Sequence, residues 1–211
     1  MDNIEQLIAG LSKDAQVLKP APRPWLLGLK WLAVAIAYLI ISLAISGVRP
    51  DLLLEFHKPW FVAEIVLLAG IFVSTALSAA ILSFPDLHQH RRSAFAPVWI
   101  FALFALVMLF SWLADNPPSP LPVHSFECTI SILLFSLLPT AGIFYAMRQF
   151  ASTHLHLSGS VAVLFAFSTG ALWLRLHEQT DSIIHLIEWH YLPMIAVAAL
   201  GWWLGKKLLR W

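Results

Sequence analysis

Six apolar stretches dominate the chain, each of about 18 to 25 residues, the length an α-helix needs to cross a hydrocarbon core. They run from Trp25 to Ser46, Trp60 to Ser83, Ala94 to Leu113, Cys128 to Met147, Leu157 to Leu174 and Ile183 to Leu204. The pieces between them, among them "GVRPD", "SFPDLHQHRRS", "DNPPSPLP" and "RQFASTH", are polar and turn-like. None is long enough to hold a soluble domain. The expected fold is all-α: a polytopic membrane protein of six transmembrane helices with a short N-terminal cytoplasmic amphipathic helix. Residues 1–24 form an arm and residues 25–211 the transmembrane domain.

Composition agrees. Of 211 residues, 59% are hydrophobic and 12% charged, where a soluble domain is about a quarter charged. Ten tryptophans and fourteen phenylalanines suit a protein with two water–lipid boundaries. A net charge of +1, without a basic block, leaves nothing to track a nucleic-acid backbone. One cysteine rules out a disulfide framework and CxxC metal motifs. The opening "MDNIEQL" lacks the basic region of a secretory signal.

Lysine and arginine give the direction of the spans, because cytoplasmic loops carry the excess. Lys13, Lys19, Arg23, Lys30, Arg91, Arg92, Arg148, Lys206, Lys207 and Arg210 fall on one side, ten in all; Arg49, Lys58 and Arg175 fall on the other. Both termini are therefore expected in the cytoplasm, with Cys128 at the outer face.

Within the arm, Ile4, Leu7, Ile8 and Leu11 recur at i, i+3, i+4 and i+7, which draws one apolar stripe along a short helix. "KPAPRP" then stops the helix and gives a stiff link to the membrane. Such a helix can lie on lipid, although Asp2, Glu5 and Asp14 make its polar face acidic where surface helices prefer Lys and Arg. It can equally dock in the groove of a cytoplasmic partner.

Polar residues gather near the outer face. Asp181, His185 and Glu188 are spaced to share one face of the sixth helix, with His177 and Glu178 just before it. His124 and Glu127 flank Cys128. Thiolate, imidazole and carboxylate together can hold zinc, copper or a similar ion, though the spacing matches no known metal signature and wet loop residues would look the same. Glu188 and His190 lie inside the sixth span, where ionisable groups tend to be paired and functional. Glu64, near the outer end of the second span, reads as a snorkelling acid. No catalytic triad, P-loop or HExxH is present, so an enzyme is not expected. The competing function is a small polytopic transporter or channel subunit with Glu64, Glu188 and His190 along its path; Pro139 and Pro193 interrupt two spans, but no inverted repeat accompanies them.

Three segments stand out in order: "IEQLIAGLSKDA" from Ile4 to Ala15, "ECTISILLFSLLP" through "YAMRQFAST", and the tail "LHEQTDS…IEWHYLPMIAVAALGWWLGKKLLRW". Together they resemble the NrsF-type family, negative regulators of sigma F. The resemblance implies a six-span inner-membrane anti-sigma factor. Its arm would sequester an extracytoplasmic-function sigma factor through Ile4, Leu7, Ile8 and Leu11, and an envelope, metal or oxidative stress signal outside would release it. It also places Cys128 at the family's first cysteine position. Relatives carry a second cysteine in a stretch like "LHCPEDS"; here the stretch is "LHEQTDS", so His177 matches and Glu178 stands where the cysteine would be. An intramolecular disulfide is impossible. What stays open is a mixed site of Cys128, His177 and Glu178 for zinc or a heavy metal as signal, a Cys128–Cys128 bond in a homo-oligomer, or the loss of redox sensing altogether.

Overall fold

The fold is given by a computed structural model that describes residues 4–6, 10, 22–85, 87–114 and 126–210. Its helices are α1 (Pro24–Ser46), α2 (Leu52–Glu55), α3 (Pro59–Leu82), α4 (Leu87–Ala94), α5 (Ala96–Ala114), α6 (Phe126–Met147), α7 (Leu155–His177) and α8 (Ile183–Leu208). No strand occurs among the described residues. Six of the helices, α1, α3, α5, α6, α7 and α8, are long and apolar enough to cross a membrane. Each begins and ends within a few residues of an apolar stretch in the sequence. Of the arm, Ile4 is helical and 65% exposed, while Leu7, Ile8 and Leu11 lie outside the described residues.

The bundle is organised around α7, which packs against α8, α6, α3 and α1. Its buried face is made largely of small side chains: Ser158, Gly159, Ala162, Ala166, Gly170 and Ala171. In lipid no hydrophobic force drives helices together, so close backbone approach through small residues supplies the contact. The crossing with α8 shows this most clearly. A Cβ on Gly201 would stand 2.6 Å from the Gly159 carbonyl oxygen, and one on Gly205 would stand 2.9 Å from the Gly159 Cα. Gly201 and Gly205 form a GxxxG pair, and neither could carry a side chain at this separation. The outer helices turn large apolar chains away from the bundle: Val34 and Ile45 on α1, Trp99 on α5 and Leu138 and Tyr145 on α6 are each more than 60% exposed. A soluble protein would hide such faces, whereas a bilayer solvates them.

Prolines sit where a lost N–H costs little. Pro24 and Pro59 open their helices, and Pro193 opens the straight part of α8. Pro139 lies inside α6 and leaves the Phe135 carbonyl without its usual donor. Tyr38 of α1 donates its hydroxyl to that oxygen at 3.0 Å. The interruption in α6 is thus a docking point for α1, beside an apolar groove of about 370 Å³ lined by Trp31, Tyr38, Pro139 and Gly142.

Adding one methyl group at Gly159 or Gly205 should therefore destabilise the bundle by about 1–3 kcal/mol through overpacking. Gly142, with open space around its Cα, is the control: Gly142→Ala should be neutral or stabilise by up to about 1 kcal/mol. Equilibrium unfolding of the three alanine variants in micelles checks this. Equal losses at all three positions would contradict the packing described.

Candidate functional site

With six spans, α1 ends, α3 begins, α7 ends and α8 begins at one end of the bundle, here called the α2 end. It holds two polar clusters separated by only a short loop, residues 178–182.

The first is a ladder of charge. Arg49 follows the α1 terminus and is 2% exposed. Its guanidinium donates from Nε and Nη2 to the two Asp51 oxygens at 2.8 Å each, and from Nη1 and Nη2 to Asp181 at 3.0 and 2.8 Å. Arg175, in the last turn of α7 and 3% exposed, shares Asp181 Oδ1 with Arg49 through a 2.9 Å bond from Nη1. It also grips Glu64 of α3 through Nε at 2.8 Å and Nη2 at 3.2 Å. Tyr191 of α8 donates its hydroxyl to the same Glu64 carboxylate. Both guanidinium groups lie over the Phe61 ring, at 5.6 and 4.6 Å from its centre. Glu55 is closed by Lys58 at 2.6 Å. Asp51, Glu55 and Asp181 come close enough to suggest a cation site, but each already has a basic partner.

Ligand-like side chains make the second cluster. Cys128, in the first turn of α6, points its Sγ at both Glu178 oxygens, 3.5 and 3.4 Å away. Thr180 donates to Glu178 Oε1 at 2.8 Å, and the other oxygen stands 3.7 Å from His190 Nε2. His190 Nε2 is 3.2 Å from His185 Nε2. One donor atom from each of Cys128, Glu178, His185 and His190 lies within 4.8 Å of the others.

Local backbone chemistry builds this meeting. Residues five apart on an α-helix lie roughly 140° apart around the axis, so His185 and His190 would face different neighbours. Residues Leu186–Tyr191 instead form a π-helical turn, sealed by a bond from Leu192 N to Ile187 O at 2.8 Å, and the wider turn brings both imidazoles to one side. Pro193 cannot donate to the Trp189 carbonyl, and the Thr129 hydroxyl does so instead. That bond ties the residue next to Cys128 to the histidine turn.

Several expectations are corrected here. His177 is apart from Cys128 and Glu178: its Nδ1 meets the Gly47 carbonyl at 2.8 Å and its ring stacks on Trp173. Asp181 precedes α8 and turns to the two arginines, so it shares no helix face with His185; Glu188 is exposed. Glu64 does not snorkel: it is 3% exposed and paired. Nor do Glu64, Glu188 and His190 line a common path, because the pocket of about 360 Å³ beside Glu64 is bounded by Glu55, Phe61, Arg175 and Asp181 and reaches neither of the others. His124 lies outside the described residues, and Glu127 is exposed.

Comparison with known proteins names the lineage. The family described as negative regulator of sigma F, NrsF, matches residues 11–211. The chain belongs to the NrsF family. Among relatives, the "Anti-sigma-F factor NrsF" of Caulobacter vibrioides (strain NA1000 / CB15N) is 27% identical over 213 residues, covering 98% of this chain and 99% of the relative. The "Probable anti-sigma-F factor NrsF" of Azospira oryzae is 26% identical over 220 residues with the same coverage. No solved structure matches. The NrsF match supports a regulatory, anti-sigma role and gives no reason to look for catalysis.

The ladder makes the fold of this NrsF chain acid-sensitive. The Arg49 hydrogen bonds lower the Asp51 carboxyl to about 2. Burial pushes Asp181 upward, but the bonds from Arg49 and Arg175 outweigh it and hold Asp181 below the usual range. Both groups ionise more readily folded than unfolded. Their stabilisation is complete above the ordinary aspartate value of about 3.9 and is lost as pH falls through the folded values. Thermal unfolding followed from about pH 5 to about pH 2 should show a falling transition temperature whose slope flattens in Asp51→Asn and Asp181→Asn. An acid limb unchanged in both variants would contradict the ladder's role.

Proposed function

We propose that this chain is a membrane anti-sigma factor. It sequesters an extracytoplasmic-function sigma factor at the bacterial inner membrane and releases it on an envelope, metal or oxidative stress signal. The observation that carries the proposal is the end-to-end kinship with chains named anti-sigma-F factor, over 98% of this one. The arm is the output: the apolar stripe of Ile4, Leu7, Ile8 and Leu11 seats in a groove of the sigma factor, and the proline link holds it close to the bilayer. The charge bias of the loops puts the arm in the cytoplasm, where a sigma factor is met, and puts the α2 end outside, where a stress arrives. The two polar clusters of that end are the receiving surface, since they are its densest set of ionisable and thiol groups. A signal there acts on α6, α7 and α8, which run the full depth of the bundle.

Substituting Asp at Leu7 and Leu11 would desolvate charge in an apolar groove. The cost is several kcal/mol, against about 8 kcal/mol for a micromolar complex. Sigma-dependent transcription should then rise to its unrepressed level while the membrane protein persists at normal amount, and the sigma factor should no longer co-purify with membranes. Continued repression by an intact, correctly inserted variant would remove the arm from the mechanism.

A further inference from the structure

We propose that Cys128, Glu178, His185 and His190 form a four-coordinate site for a zinc-class divalent ion. The first argument is distance. Zinc lies about 2.0–2.1 Å from imidazole nitrogen, about 2.0–2.2 Å from carboxylate oxygen and about 2.3 Å from thiolate sulfur. A tetrahedron with those arms has edges of about 3.3 Å between two nitrogens and about 3.5 Å between sulfur and oxygen. The protein places His185 Nε2 and His190 Nε2 at 3.2 Å, and Cys128 Sγ and Glu178 Oε2 at 3.4 Å. The edge from His190 Nε2 to Glu178 Oε2 is 3.7 Å. Three of the six edges thus stand near ligand spacing, and all four donors lie within 4.8 Å of one another, converging from α6, the α7–α8 loop and the first turns of α8.

The second argument is burial. His185 and His190 are 2% and 1% exposed, and the Nδ1 of each has no hydrogen-bond partner. Their Nε2 atoms face each other, where a hydrogen bond can satisfy one as donor and one as acceptor. Both Nε2 atoms are thus turned inward, beside the Glu178 carboxylate and the Cys128 thiol, so that two buried imidazole lone pairs can be taken up together by one ion, while the Nδ1 atoms stay unpartnered with or without it. The third is the donor set. One soft thiolate, two borderline imidazoles and one hard carboxylate suit zinc, and cobalt or cadmium as its mimics, better than magnesium or calcium. Thr180 is a positioning residue: its bond to Glu178 Oε1 turns Oε2 toward the histidines. The half-buried Cys128 and the partly exposed Glu178 leave a way in. Glu178 and Asp181 share one short loop, so an ion drawing on Glu178 acts directly beside the arginine ladder.

The test uses purified full-length protein in micelles, with no sigma factor present; its outcome is independent of the anti-sigma reading. After chelation, Co²⁺ alone is titrated in. The expected result is one cobalt per chain, with the strong d–d absorption of tetrahedral cobalt and a thiolate charge-transfer band, both erased by Zn²⁺. Cys128→Ser should lose the charge-transfer band, His190→Gln should weaken binding at least about tenfold, and Thr180→Val should weaken it about 10–100-fold. His177→Ala should bind as the parent does. If His190→Gln does not fold, Cys128→Ser and Thr180→Val decide. Absence of tetrahedral absorption, a charge-transfer band that survives Cys128→Ser, binding untouched by Thr180→Val, or binding abolished by His177→Ala would each overturn the proposal.

Discussion

Burying Arg175 near one end of an apolar bundle is the constraint on which the rest of that end depends. A guanidinium out of water must find carboxylates and full hydrogen bonding or the fold fails. Glu64 on α3, Asp181 before α8 and the Thr180 carbonyl supply them. Asp181 is then shared with Arg49, and so with Asp51 and the short connection that carries α2. One demand for charge balance therefore fixes α1, α3, α7 and α8 relative to one another at this end. At the other end the glycines of α7 and α8 do that work by close contact, joined by the Ser160 bond to the Ala198 carbonyl at 2.8 Å and the His156 bond with the Trp202 carbonyl at 3.0 Å.

The loop that the ladder holds also serves the second cluster. Glu178 lies three residues before Asp181, and with Asp181 clamped by two arginines Glu178 has little freedom except toward Cys128 and the histidines. The π turn of α8 and the Thr129 bond to the Trp189 carbonyl complete the same arrangement from the other side. Here rigidity comes from the arginines, and the ligand-like side chains sit one loop away.

The six spans and their limits were legible in the sequence because hydrocarbon thickness dictates length and apolarity, whereas the short helices α2 and α4, in stretches that read as turn-like, and the π turn of α8 were not. The family was legible from three segments in order, and so was the meeting of Cys128 with Glu178, through the position a second cysteine would take. Other features were hidden for physical reasons. Arg49 and Asp181 are 132 residues apart and Arg175 and Glu64 are 111 apart, and no periodicity encodes such pairings. The i, i+4, i+7 spacing groups His185 with Asp181 and Glu188 on an α-helical wheel and gives no sign of His190 beside it. The chemistry that breaks the wheel, Pro193 with a neighbouring hydroxyl to take the orphaned carbonyl, becomes visible only once α6 lies beside α8. His177 was grouped with Cys128 by nearness in sequence to Glu178, yet it closes α7 and turns to Gly47.

A double-mutant cycle on Arg175 and Glu64, read by equilibrium unfolding in micelles, tests the central role of the buried pair most directly. Arg175→Met and Glu64→Leu should each destabilise by about 3–5 kcal/mol, since either leaves a charge buried without its main partner. The double variant should recover more than half of the summed loss, because the uncompensated charge is gone. Additive losses, or single losses below about 1 kcal/mol as for an exposed pair, would contradict the claim that this interaction organises the α2 end.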